Sequence, residues 1–294
     1  MSENLLTVVA SVVEVFGLIA VAWIYARRLR PDLTGTLRLG MNIFVPCLAF
    51  SSILDSRIEG REFAIAGAAT LIQIGSGLLI GSIFLRLIGW KDRRELLMPI
   101  AFVNSANLPF PLLLANFGTE GLSRGVLCYT VTNLALFSVG IFLLHGGARM
   151  REAIREPALW ATVLAGILKA LHLEPPEMAM RVPRLAGMAA VPIMLFLFGD
   201  ALARTRLTSL REAAFATALR YASGAGGLVV ALWLLRPEGL LRKVLILYAL
   251  LPPAVINVVL TQKAGRNAEI VASTILLATL LSVLLLPALL AAMR

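Results

Sequence analysis

Ten runs of about 20 mainly apolar residues fill this 294-residue chain, and that length is what a helix needs to cross the hydrocarbon of a bilayer. They fall at roughly 5–25, 37–55, 62–85, 96–116, 123–145, 157–172, 185–203, 213–235, 243–261 and 269–291. Apolar residues are continuous within the runs rather than alternating, which favours helices over a barrel. The composition agrees: 59% hydrophobic residues, 15% charged ones and a mean hydropathy of +0.86 lie outside the range of soluble globular domains. Trp23, Trp90, Trp160 and Trp233 fall near the ends of runs, where an amphipathic ring prefers the headgroup layer. The loops are too short for a soluble domain, so any chemistry takes place within or between helices. The opening MSENLL lacks a basic n-region and a small-residue cleavage site, so the first run reads as a retained helix, not a signal peptide.

The net charge of +10 does not point to nucleic acid, because its distribution follows topology. Sixteen of the 27 Lys and Arg residues fall in alternate loops on one side, between Arg27 and Arg266; ten fall on the other, and Arg220 lies within a helix. The positive-inside bias makes the richer side cytoplasmic and places both termini outside. Cys47 and Cys128 lie in apolar runs, where a thiol acts as a small packing group. His145 and His172 have no Cys or carboxylate at ligand spacing, so neither a metal site nor a cofactor is expected.

Two landmarks recur along the chain. NIFVPCLAF in the second run and AAVPIMLFLF in the seventh share Val-Pro with Phe four residues on, placing Pro46 and Pro192 146 residues apart. Leu-Pro recurs in the fourth and ninth runs, with Pro109 and Pro252 143 apart. The shared order and spacing indicate a duplicated five-helix unit, residues 1–150 and 151–294. Five is an odd number of crossings, so the second unit enters from the opposite face. The expected fold is therefore all-α and polytopic: ten transmembrane helices in two inverted repeats, with broken fourth and ninth helices crossing at the midplane.

The breaks carry the candidate site. A helical proline removes its own N–H and clashes with the carbonyl four residues back. Pro109 and Pro111 are thus expected to free the carbonyls of Ser105 and Asn107, and Pro252 and Pro253 those of Tyr248 and Ala249. Free backbone groups cannot face lipid, so both breaks should face protein or a hydrated cavity. Half-helix N-termini meeting there present N–H groups and positive dipole ends, an arrangement that suits a carboxylate. Asn104 and Asn107 share a helical face, and Asn257 follows the second break; each offers donors and an acceptor without a charge to desolvate. The expected substrate-binding set is Asn107, Asn257, Asn104, Pro109, Pro252 and Ser105.

Two charges lie inside the runs. Glu14, near the centre of the first, reads either as a proton carrier or as a neutral, hydrogen-bonded acid in a helix interface. Arg220 has three roles open to it: pairing with Glu14, lining an anion path, or snorkelling to the cytoplasmic side, the last favoured by its nearness to the start of the run. Asp55 and Asp200 close the second and seventh runs and read as solvated ends. Gly77 and Gly81, and Gly224, Gly226 and Gly227, have the small-residue spacing of close helix packing. Phe44, Phe102 and Phe110 read as core packing.

NSANLPFPLLLANFGTEGL, followed by YTVTNLALFSVGIFLL, resembles the auxin efflux carrier family, the bacterial and plant group of PIN-like exporters. The resemblance spans essentially the whole chain, and Asn-x-x-Asn-Leu-x-x-Pro is its most specific part. It implies that the crossing of the broken helices binds an organic anion with an Asn at each break, Asn107 and Asn257 here. It also implies a scaffold domain, often dimeric, beside a moving crossover domain, and a bacterial member in the cytoplasmic (inner) membrane. The long central loop of plant members is absent; only GGARMREAIREPA joins the halves. Ser105, Thr130, Thr132 and Asn133 are similar to residues lining a sodium site in the wider superfamily, so Thr130 and Asn133 join Glu14 as candidates for proton or ion coupling. No carboxylate accompanies the ninth-helix break, which argues against sodium.

The expected activity is a secondary carrier that moves a small organic anion across the membrane by alternating access, in the efflux direction; the alternatives are an anion-binding receptor or a channel, which flux and current measurements separate. An intramembrane enzyme finds no nucleophile, acid–base pair or metal cluster among the helices.

Overall fold

The computed structural model describes residues 2–145 and 155–293. Among these residues the regular structure is helical, with no β-strand beyond one isolated bridge. Eleven helices follow in order: α1 Ser2–Leu29, α2 Thr34–Leu54, α3 Gly60–Leu87, α4 Leu97–Ala101, α5 Pro109–Leu144, α6 Pro157–Ala170, α7 Glu177–Arg204, α8 Leu210–Leu235, α9 Gly239–Ala249, α10 Ile256–Lys263 and α11 Ala268–Ala292. Six of them, α2, α3, α5, α7, α8 and α11, are long and apolar enough to cross a membrane. α6 is shorter and apolar. The linker between the halves lies mostly at 146–154, outside the described residues.

Local chemistry explains where these helices bend. In α2 a π-helical turn, Gly40–Phe44, precedes Pro46, where the missing N–H has already removed one ladder bond. In α5 the regular helix is interrupted at Gly118, whose φ of 63° lies in the left-handed region that only glycine adopts without strain. The fourth and fifth apolar runs are joined there.

The helices form two groups. α1 lies along α7, and α2 packs against both α6 and α7. α3 lies along α8, with α4, α9 and α11 against that pair, while α5 and α11 also reach the first group. Close approach marks both groups. At Gly199 an added Cβ would sit 2.5 Å from the carbonyl of Ile19, and at Gly77 2.7 Å from the Cα of Ala101. The exterior is apolar, with Leu79, Leu164, Leu185 and Trp233 exposed, as a lipid-facing surface requires.

Candidate functional site

Between α4 and α5, residues 102–108 are unwound, and between α9 and α10 so are residues 250–255. These segments meet. Val103 pairs antiparallel with Pro253: the Asn104 N–H donates to the Pro252 carbonyl at 2.8 Å, and the Ala254 N–H to the Phe102 carbonyl at 3.1 Å. A single shift of 150 residues takes one bond into the other, 102 to 252 and 104 to 254. The same shift takes Asn107 to Asn257.

The prolines act differently from expectation. Pro109 and Pro111 do not break a helix from inside; the chain is already unwound, and α5 starts at Pro109 with Leu108 as its N-cap. At the first helical position the missing N–H has no partner to lose and the fixed φ favours the turn. Three side chains donate to carbonyls at and around the two breaks. The Tyr248 hydroxyl lies 2.7 Å from the carbonyls of both Ser105 and Gly125. Asn257, 0% exposed, donates its amide to the carbonyls of Met98 at 3.2 Å and Phe102 at 3.0 Å. Arg220 donates to Ile100 at 3.0 Å, Ala249 at 2.9 Å and Leu251 at 3.4 Å.

Arg220 therefore does not snorkel. It is 1% exposed, because α8 begins at Leu210 and places it some three turns inside the helix. Nor does it pair with Glu14, which lies on an exposed face of α1, away from the unwound segments.

A cavity of about 1500 Å³ opens beside the unwound segments. Its mouth is lined by residues 30–34, by Thr205, Arg206 and Thr208, and by Arg266 and Asn267; its other end reaches Asn104, Ser105, Asn107, 254–256, Val258 and Val259. The loops at 55–59, 171–176 and 236–238 take no part in it, so it opens to one side. Asn257, Pro109 and Pro252 do not line it.

Asn104 is the polar group of most consequence. It is 4% exposed, and its Oδ1 accepts the Asn107 N–H at 3.1 Å, which orients the amide. Among the described residues its buried Nδ2 has no acceptor. An unpaired buried donor costs about 1–3 kcal/mol, a cost that an arriving acceptor removes. Asn107, half-buried, stands beside it on the cavity.

The coupling candidates separate. Asn133 lines the cavity, whereas the Thr130 hydroxyl donates to the Val126 carbonyl at 2.9 Å and lies 3.0 Å from that of Thr162. A carboxylate that sequence reasoning passed over, Glu156, also lines the cavity, with the Tyr129 hydroxyl 3.5 Å away. Burial pushes the Glu156 carboxyl above its ordinary value, against the opposing hydrogen bond from Tyr129. Its position directly before Pro157, the first residue of α6, is the one sequence signal that marked it as a helix cap. Asp55 and Asp200 are not merely solvated ends: Arg184 pairs with Asp55 at 2.7 Å and Arg204 with Asp200 at 2.8 Å. Phe102 and Phe110 are fully buried in the core.

A lipid-facing helical bundle with two unwound segments paired beside a one-sided cavity has the makings of a membrane transport protein. The chain belongs to the family described as Membrane transport protein, whose profile matches residues 7–149 and again 147–290, the auxin efflux carrier group that the sequence resembles. An uncharacterized transporter of Methanothermobacter thermautotrophicus is 28% identical over 264 residues, covering 85% of this chain and 85% of its own. The protein is thus an integral membrane transporter.

Proposed function

We propose that this transporter is a secondary carrier that moves a small organic anion, a carboxylate, by alternating access. The observation that carries the reading is the buried Nδ2 of Asn104, a residue that lines the cavity, unpaired among the described residues, with its amide oriented by the Asn107 N–H and placed near the N-terminus of α5. An uncharged donor set of this kind holds a carboxylate without a buried cation in contact with it. Asn104, Asn107 and the Ser105 backbone form the binding set, and Asn257 braces the first break from the second rather than touching the ligand.

Ten crossings in two inverted repeats are supported by the two bridge bonds that one shift of 150 residues interconverts. Helix packing adds to this support, since α1 on α7 and α6 on α2 are the same pairing with the halves exchanged. The group of α1, α2, α6 and α7 is the scaffold, through which two copies associate as the family resemblance implies. The second group carries the unwound segments and moves. The cavity mouth carries Arg30, Arg204, Arg206 and Arg266, so the positive-inside bias makes it cytoplasmic, with both termini outside the cytoplasmic membrane. A cavity open to the cytoplasm supports loading from inside and efflux.

The test is a thermal-shift screen of the purified protein against small mono- and dicarboxylates, followed by counterflow of any hit in proteoliposomes. Asn104→Leu should melt like the wild type yet lose the ligand shift. Binding without counterflow identifies a receptor, and sustained single-channel current a channel. A folded wild type that responds to no carboxylate refutes the anion reading.

A further inference from the structure

Arg220 carries a charge that its bracing role does not need. All three of its acceptors are backbone carbonyls at the two breaks, those of Ile100 in α4, Ala249 at the end of α9 and Leu251 in the unwound segment. Among the described residues no Asp or Glu forms an ion pair with it. Room for the guanidinium is made by Gly224, where a Cβ would lie 2.7 Å from Arg220 Nη2 and 2.3 Å from the Ala249 carbonyl. Taking a cation out of water without a counter-charge is expensive, and carbonyl dipoles offset only part of it.

The molecule contains its own control. Ser223 and Ser76, which are hydrogen-bonded across the α8–α3 contact, are 147 residues apart, as are Gly224 and Gly77, which pack on the ends of α9 and α4. The same spacing relates Arg220 to Gln73. Gln73 is also buried, and its neutral amide donates to the Leu245 carbonyl of α9 at 3.1 Å. A neutral amide at the matching place in the first half thus donates to one carbonyl inside α9, while the charged group of the second half reaches three carbonyls at the breaks. Helix packing at this position accepts a neutral donor, so packing alone does not select the charge.

We infer that Arg220 is a specificity-determining residue: a fixed positive charge behind the paired breaks that makes the site select anions over neutral molecules of the same shape. The inference rests on the anion reading of the same site. Arg220 does not line the cavity and touches no ligand; it acts through space. Two unit charges about 10 Å apart at an effective dielectric near 20 attract enough to change affinity on the order of tenfold. A neutral ligand gains nothing from it.

The probes are acetate, propionate, succinate and glutarate, each beside its neutral amide, titrated by thermal shift against the wild type, Arg220→Gln and Arg220→Lys. The wild type should bind at least one acid and discriminate against its amide, with affinity flat between about pH 5.5 and about pH 9, because a guanidinium keeps its charge there. Arg220→Gln retains amide donors without the charge and should bind the acid on the order of tenfold more weakly, with acid and amide brought close together. Arg220→Lys should bind the acid more tightly at about pH 5.5 than at about pH 9, since burial brings the loss of a lysine's charge into that range. A folded Arg220→Gln protein with wild-type acid affinity overturns the inference. If that variant does not fold, the lysine series decides: an affinity as flat with pH as the wild type's overturns it. A wild type that binds no acid on the panel overturns the anion reading itself, whereas wild-type binding with unresponsive variants overturns only the role of Arg220.

Discussion

Replacing Asn257 by leucine separates bracing from ligand contact. The side chain is fully buried, and its Nδ2 donates to the carbonyls of Met98 and Phe102. Neither carbonyl is orphaned by the change: Met98 keeps the Phe102 N–H at 2.9 Å, and Phe102 keeps the Ala254 N–H at 3.1 Å. Two net hydrogen bonds at about 0.5–1.5 kcal/mol each are lost, and removing the unpaired Oδ1 of Asn257 offsets part of that. Leucine keeps the number and branching of the side-chain heavy atoms, so no cavity term is added. The expected loss is about 1–2 kcal/mol, or roughly 2–8 °C of melting temperature at ~2–4 °C per kcal/mol. Thermal unfolding in detergent with a thiol-reactive dye reads this directly, because Cys128 is buried until the bundle opens. Ligand affinity, measured well below the melting temperature, should change less than threefold, on the order of 0.6 kcal/mol. A variant that melts at the wild-type temperature while losing its ligand would place Asn257 in the binding set and refute the bracing argument.

Two further outcomes follow from the same geometry. Gly224→Ala forces a Cβ against the Ala249 carbonyl and should destabilise by about 1–3 kcal/mol and slow transport, whereas Gly226→Ala, whose nearest neighbour would be 3.7 Å away, should fold and transport normally; equal behaviour of the two in a melting and flux comparison would disprove the packing account. Glu156 has its carboxyl pKa raised by burial, so the folded state holds a proton that the unfolded state has released, and stability falls as pH rises from the ordinary carboxyl range through the raised value. Glu156→Gln should therefore melt above the wild type at pH 8, with the gap closing towards pH 4; a variant that melts below the wild type at pH 8 would mean the carboxylate is stabilised in the fold.

Much of this was legible in the sequence because hydrocarbon constrains composition so strongly. The breaks were found from Pro109 and Pro252, and the link between Asn107 and Asn257 from their places beside those prolines. The role of each proline was not legible. Whether a proline interrupts a helix or starts one depends on where the preceding residues unwind, and Asn104–Pro252 pairing, a contact between distant segments, decides that. Arg220 was misread for a related reason: hydropathy starts the eighth run at 213, while the helix starts at Leu210 and carries the guanidinium inward to carbonyls on two other helices. Glu156 escaped notice because its depth depends on which residues of α5 it faces, and Tyr129 and Asn133 are brought to it only by tertiary packing.

The difference between Asn107 and Asn257 bears on how such a molecule works. One shift relates the two residues and the bridge bonds beside them, yet Asn107 is half-buried on the cavity while Asn257 is sealed against carbonyls of the opposite break. In a symmetric resting bundle they would share one environment. Their inequality goes with the cavity, which opens beside one of them and not the other. On the proposed inverted repeat, exchanging the conformations of the halves would expose Asn257 to the opposite face and offer Asn107 the carbonyls of Tyr248 and Pro252, the counterparts of Met98 and Phe102. Each amide would then alternate between bracing a break and facing substrate, so a mutation at either position would shift the balance between the two open states. That coupling is what a carrier needs and a static receptor does not, because a ligand moves an equilibrium only through its different affinity for the two states.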